Sequence, residues 1–249
     1  MRKKVFYTAG AVIFWLAVWE AAALIVNKSL LLASPFEALR RLIDIAADEK
    51  FAGTVLYSAG RILAGFLSGS AAGIVLAVLS GKFAFAEKLF SPLLTTVKAI
   101  PVASFTILAL IWISSSELSL LITFLIAFPV TYSNVFEGIR SLDRELNVMA
   151  DIFRIPPWRR FVGVYLSQLM PYIRSAAKLS MGLCWKSGVA AEVIGIPKGS
   201  VGERLYNSKV YLETADLFAW TAVIILLSII CEKLFLLVID LTVKRIEKL

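Results

Sequence analysis

Histidine is absent from the 249 residues. Its absence removes imidazole acid–base chemistry and most transition-metal sites. The two cysteines, Cys184 and Cys231, each fall inside an apolar run, so neither a disulfide framework nor a thiolate metal centre fits. No G-x-x-x-x-G-K-[ST] sequence occurs, which excludes ATP binding by a P-loop in this chain. No nucleophile–base pair stands out, and an intramembrane enzyme would need one. Charge is scarce as well: 18% of residues are charged, against about 25% in a soluble domain. Carboxylates within the apolar runs are few, whereas a proton-coupled carrier needs them. Period-two alternation is missing, which argues against a β-barrel.

What remains is 59% hydrophobic and gathered in blocks. Each crossing needs about 20 residues, so five or six helical spans fill the chain. The reading is an all-α polytopic membrane protein of about six transmembrane helices, one domain over 1–249. A first span, Val5–Val26, follows the basic start MRKK; its apolar run exceeds the ~7–15 residues of a secretory signal. Ser34-Pro35 opens an amphipathic helix bearing Phe36, Leu39, Leu42, Ile43 and Ala46, suited to the outer membrane surface. Residues 1–54 thus form an N-terminal unit and 55–245 the core. Further spans are read at Ala59–Ser80, Leu89–Ile113, Leu118–Phe136, Tyr172–Val193 and Ala215–Leu236. A polar turn at Gly81–Lys88 and a connector at Gly195–Thr214 join them.

The net charge of +8 lies at the borders of the apolar blocks, up to the tail Lys244, Arg245 and Lys248. That placement reads as topology anchors, not as a nucleic-acid surface. With both termini cytoplasmic, the inner segments hold 13 Lys and Arg against 7 outside, as the positive-inside rule requires.

Three places carry candidate function. Gly65, Gly69 and Gly73 recur at i+4 and let two helix backbones approach in lipid. Pro101 should break the third span beside Ser104 and Thr106; with Thr131 and Asn134 on the next span, these are candidates to line a path, or else to bond between helices. Lys186 and Glu192 lie late in the fifth span about 120° apart, too divergent to pair on one helix. Lys186 should then face the bundle or a wet cavity, where Glu192 of a second subunit or an anion would answer its charge, or else snorkel outward.

The longest polar interruption in the second half, 141–171, reads SLDRELNVMADIFRIPPWRRFVGVYLSQLMP. It sets Leu142, Leu146, Met149, Ile152 and Phe153 at helical spacing, so it should dock on headgroups or on another protein. Here the chain resembles the permease subunits of ABC importers, whose cytoplasmic loop reads E-A-A-x(3)-G-x(9)-I-x-L-P. Val148-Met149-Ala150 stands on E-A-A and Arg154 on the Gly, with Pro171 read as the closing Pro; Trp158 and Phe161 match further positions. LLASPFEAL, KAIPVASFTILALIWISSSELS, NVFEGIRSLD and VAAEVIG…VGERLYNSKVYLETADLF are similar to the nitrate/sulfonate/taurine-type permeases, over about residues 30–245.

The resemblance implies a type I importer permease fold in a prokaryotic plasma membrane. It implies a homodimer, two P-loop ATPase subunits carrying ATP and Mg below it, and an extracytoplasmic substrate-binding protein above. The chain itself would need no cofactor and would catalyse nothing. The substrate would be a small organic or inorganic anion (sulfonate, nitrate, bicarbonate-like) or a small heterocyclic vitamin precursor. The ATPase would be met by Met149, Ala150, Ile152, Phe153, Arg154, Ile155 and Trp158, the apolar ones filling a groove; their other use is packing on this chain's own spans. An ATP-independent carrier or channel is the competing class. Two residues depart from the motif: Val148 replaces Glu and Arg154 replaces the bend-forming Gly. Because Ile155-Pro156-Pro157 supplies its own breaker, the expectation is that Arg154 keeps an ordinary negative φ.

Overall fold

The computed structural model describes residues 2–28 and 30–246; Met1 and Lys248 of the basic ends lie outside them. Eleven α-helices follow one another, and no strand occurs among the described residues. They are α1 (Arg2–Val26), α2 (Pro35–Ala46), α3 (Phe51–Lys82), α4 (Ala84–Ala99), α5 (Val102–Ala109), α6 (Ser115–Arg140), α7 (Arg144–Ile152), α8 (Pro157–Arg160), α9 (Ser167–Gly195), α10 (Val201–Val210) and α11 (Thr214–Ile246). A π turn at Phe161–Leu166 joins α8 to α9.

By length and composition α3, α6 and α11 can cross a membrane, and α4 with α5 makes a fourth candidate if the bent pair is one span. The 29-residue α9 has the length, but Arg174, Lys178, Lys186 and Glu192 interrupt its apolar character. Several boundaries differ from the sequence reading. The turn expected at Gly81–Lys88 shrinks to Phe83, because α3 runs on to Lys82. The connector expected at Gly195–Thr214 contains α10, started by Ser200, whose Oγ accepts from Glu203 N at 2.9 Å. That S-x-x-E spacing is a helix-start signal in the sequence itself.

The centre of the fold is the α3–α6 pair. Gly65, Gly69 and Gly73 all face α6 and leave no room for a side chain. A Cβ at Gly69 would lie 2.6 Å from Phe124 O, and one at Gly73 would lie 2.7 Å from Phe128 O; one at Gly65 would overlap Leu120 O and Thr123 Oγ1. The glycines advance by four residues and so do the carbonyls they meet, so the two backbones run in contact for two turns. Lipid offers little drive for apolar contact between helices, so close van der Waals packing of this kind holds them.

α9 closes the third side. Ile62 and Phe66 of α3, Ala127 of α6 and Met181, Cys184, Trp185 and Val189 of α9 form one buried cluster. α11 covers its flank, with Phe235 edge-on to Phe66 at 4.9 Å. The other side of α11 exposes Ile225, Leu226, Ile229, Ile230, Leu234, Leu237 and Val238, a face suited to hydrocarbon.

At the far end of α9 a polar knot ties three elements. Glu192 is fully buried; Ser58 Oγ donates to its Oε2 at 2.7 Å and Gly202 N donates to the same oxygen at 3.2 Å. Val201 N in turn donates to Ser58 Oγ at 2.9 Å. The knot fixes the start of α10 against α3 and α9. α2 is held differently. Ser34 and Glu37 cap it reciprocally, and Arg41 pairs with Asp216 of α11, which holds the guanidinium pKa above its ordinary value. Of its apolar residues, Phe36, Leu39 and Ile43 point outward while Leu42 packs inward with Ile45.

The α3–α6 contact is tested with two substitutions on one helix. Gly73→Val should cost the pair about 1–3 kcal/mol through overpacking, seen as lower thermal stability of the detergent-solubilised protein. Gly60→Ala, where an added Cβ meets nothing within 4 Å, should leave stability unchanged. Equal behaviour of the two would remove the close-approach account. Ser58→Ala removes one of the two donors to Glu192 and strands Val201 N, an expected loss of about 1–3 kcal/mol, whereas exposed Ser104→Ala should cost little in the same melt.

Candidate functional site

The polar interruption folds into two short helices with a sharp bend between them. Asp143 starts α7, its Oδ1 accepting from Glu145 N at 2.8 Å, and Gln168 of α9 accepts from Asp143 N at 2.9 Å. α7 ends at Ile152 through a 6→1 bond from Ile155 N to Ala150 O, 3.0 Å, and a 5→2 bond from Arg154 N to Asp151 O, 3.1 Å. This pair of bonds requires a left-handed residue between them. That residue is Arg154, at φ 48°.

The expectation of a negative φ at Arg154 is therefore wrong. The Pro pair does break the chain, since α8 begins at Pro157, but it follows the bend and does not replace it. Arg154 occupies the conformation that the motif's Gly would take freely, at a local cost of about 1–2 kcal/mol. The motif's closing position also shifts: gap-free spacing from Arg154 reaches Ser167, so Pro171 stands one helical turn beyond it, inside α9.

A brace spans the bend. Arg160 of α8 donates to Asp151 Oδ1 and, more weakly, to Asn147 Oδ1 at 3.4 Å, both on α7. Hydrogen bonding to Asp151 raises the guanidinium pKa above its ordinary value. Gln168 and Arg160 escaped the sequence reading because their partners are set by the turn, not by periodicity.

The braced pair presents an apolar surface to the outside. Ile152 is 72% exposed, Phe153 73% and Trp158 71%, with Val148, Met149 and Phe161 also exposed. Arg154 is exposed at the bend and Ile155 half-buried. Ala150 differs: it is buried, packed inward under α7. The helix thus has an inner face through Ala150 and an outer one through Met149, Ile152 and Phe153. Unpaired apolar area of this kind marks an interaction site.

The path candidates divide by burial. The chain breaks at Pro101 more sharply than a kink: α4 and α5 meet at 98°. Pro101 and Ser104 are exposed at and after the break. Thr106 is fully buried and donates to Val102 O of its own helix at 2.7 Å. Thr131 is buried between α6 and α3, 3.3 Å from Ser70 Oγ. Asn134 is half-buried and donates to Val130 O at 2.9 Å; it lines an open cavity of about 510 Å³ with Glu137, Tyr172 and Ser175. Lys186 is exposed on the face of α9 that also shows Leu179, Leu183 and Ala190. Glu192 points the other way, as the 120° offset requires. It is spoken for by Ser58 and Gly202 of its own subunit, so a Lys186–Glu192 bridge between copies does not fit.

No His, Cys, Asp and Glu cluster able to hold a metal occurs among the described residues. The arrangement is a bundle with a broken helix at its side and a braced apolar surface at one end.

The comparisons agree with that architecture. The family model described as "Binding-protein-dependent transport system inner membrane component" matches residues 69–248. The chain is 28% identical over 207 residues to the putative aliphatic sulfonates transport permease protein SsuC of Bacillus subtilis (strain 168), covering 82% of this chain and 74% of that protein. It is 23% identical over 213 residues to the nitrate import permease protein NrtB of Leptolyngbya laminosa, covering 81% and 75%. It is 23% identical over 239 residues to the taurine transport system permease protein TauC of Escherichia coli (strain K12), covering 93% and 86%. With the matched region running from the glycine-lined α3 through the braced bend to α11, the chain belongs to the binding-protein-dependent transport system inner membrane component family, the membrane-embedded permeases of ABC importers.

Proposed function

We propose that this chain is the substrate-conducting subunit of an ABC importer for small anions, and that α7 and α8 transmit the movement of a separate ATPase to the bundle. The observation that carries this is the outer face of the bend: Met149, Ile152, Phe153 and Trp158 stand exposed on a rigid, braced support. A surface of that size and stiffness fits a groove on a partner protein. Gln168 accepts from the backbone of Asp143 at the start of α7, so a push on the outer face of α7 reaches the foot of α9. Two copies of the chain with two ATPases, and a binding protein on the opposite face, complete the reading.

Six crossings follow if α1, α9 and the bent α4–α5 pair join α3, α6 and α11. The termini and the bend are then cytoplasmic, in the orientation that the distribution of Lys and Arg favours. Transport proceeds by alternating access as the bundle rocks about the axis between copies. Anion selectivity is supported by Lys186, a cation on an exposed face of α9 that joins none of the ion pairs among the described residues. The named relatives are permeases for sulfonates, nitrate and taurine, which share an anionic group.

Ile152→Asp or Phe153→Asp should release the ATPase during co-purification while the permease stays in the membrane, because each places an unpaired charge in an apolar contact. The expected loss is a few kcal/mol of binding; retained ATPase with normal uptake would refute the docking surface. For the path, Lys186→Gln in the assembled, reconstituted complex should slow anion uptake at least about tenfold. Uptake at the parent's rate and affinity would show that Lys186 is not a substrate group.

A further inference from the structure

The break between α4 and α5 encloses a feature that the transport reading leaves unused. A cavity of about 240 Å³ sits inside the 98° bend. Its walls come from α4, the start of α5, one stripe of α6 and Leu183 of α9. Val97, Ile100, Phe105, Ile126 and Leu183 represent an apolar lining with a single charged member, Lys98. Such a volume lies below the ~300–1,000 Å³ of drug-sized sites, so it suits a small ligand.

Lys98 stands in the last turn of α4, and its Nζ donates to Ser133 Oγ at 2.6 Å. An ammonium has three donors, so two are left for another acceptor. None of the ion pairs among the described residues includes it. The same wall carries the start of α5. There Pro101 occupies the N-cap position and no side chain caps the helix, so the first-turn amides keep their positive end unanswered.

We propose that this cavity is a binding site for a small organic anion with a short apolar tail, its head held by Lys98 and its tail lodged between Ile100, Phe105, Ile126 and Leu183. The proposal rests on the importer reading and narrows it, because it names the substrate class met inside the membrane. An inorganic anion gains nothing from the apolar walls and keeps its hydration at lower cost elsewhere. A hydrocarbon tail gains by burial, at about fourfold in affinity per methylene. The gain ends when the cavity is full.

The test is titration of the full-length permease in nanodiscs with methane-, propane-, pentane- and octanesulfonate. Affinity should rise about fourfold per methylene over the shorter members and level off before octanesulfonate. Lys98→Gln should weaken propanesulfonate at least about tenfold, with Lys98→Arg restoring most of it. Leu183→Trp should weaken pentanesulfonate and spare methanesulfonate, and this arm decides the matter if Lys98→Gln does not yield folded protein. No binding, affinity indifferent to tail length, or affinity unchanged in Lys98→Gln overturns the site. A rise that continues unbroken through octanesulfonate also overturns it, and shows a lipid-facing surface instead. ATP-driven uptake by the permease with its ATPase is scored separately. Uptake of nitrate or taurine without alkanesulfonate binding removes the site and leaves the importer. Saturable alkanesulfonate binding without ATP-driven uptake of any solute leaves the site and removes the importer.

Discussion

The α3–α6 contact is the constraint on which the rest of the structure depends. In lipid, two apolar helices gain little by touching, so a stable pair needs backbones close enough for dense packing. Gly65, Gly69 and Gly73 make that possible, and Gly188 repeats the device where α9 meets Ile62 and Thr123. Once α3, α6 and α9 are locked together, the positions of the lesser elements follow. α10 is fixed by the buried Glu192, and α7 is fixed by Gln168 at the foot of α9. α11 lays an apolar flank on them, is pinned by Arg41–Asp216 and Arg174–Asp240, and keeps its other face for the membrane.

Rigid and yielding parts are separated along the chain. The three-helix centre carries the buried aromatic and aliphatic side chains, including Trp185 and Phe66. The α4–α5 break lies at the side, where Pro101 interrupts the backbone and the flanking residues are exposed. A broken helix is tolerated within a membrane where it lines a cavity, and here it does. The bend at Arg154 lies at one end and is stiffened by Arg160 across it.

The strain at Arg154 shows how one structure is reached by unequal residues. A hydrogen-bond pattern, two bonds closing α7, demands a left-handed residue at that point. Gly satisfies it without cost; Arg satisfies it at a small one and leaves its guanidinium exposed beside Ile152 and Phe153. Ile196 and Leu212 adopt the same conformation at the ends of α9 and α10.

The sequence alone determined the class and the long apolar helices α3, α6 and α11, because hydropathy acts locally and leaves a periodic record. It determined the close-approach stripe too, since three glycines at i+4 have one efficient use in lipid. The cap at Ser34 and the break at Pro101 were legible for the same reason: each acts on its own turn. Other features belonged to the tertiary structure. That Glu192 lies inside and Lys186 outside was beyond reach, because both are polar residues of one helix and only the position of Ser58 and Gly202 separates them. That Ala150 is buried while Met149 is exposed depends on how α7 folds back on the segment after the bend. That Lys98 stands alone at an apolar cavity depends on the angle between α4 and α5, which the Pro permits but does not set. Local chemistry fixes what each segment can become; which of its faces is covered is decided by the helices that arrive beside it.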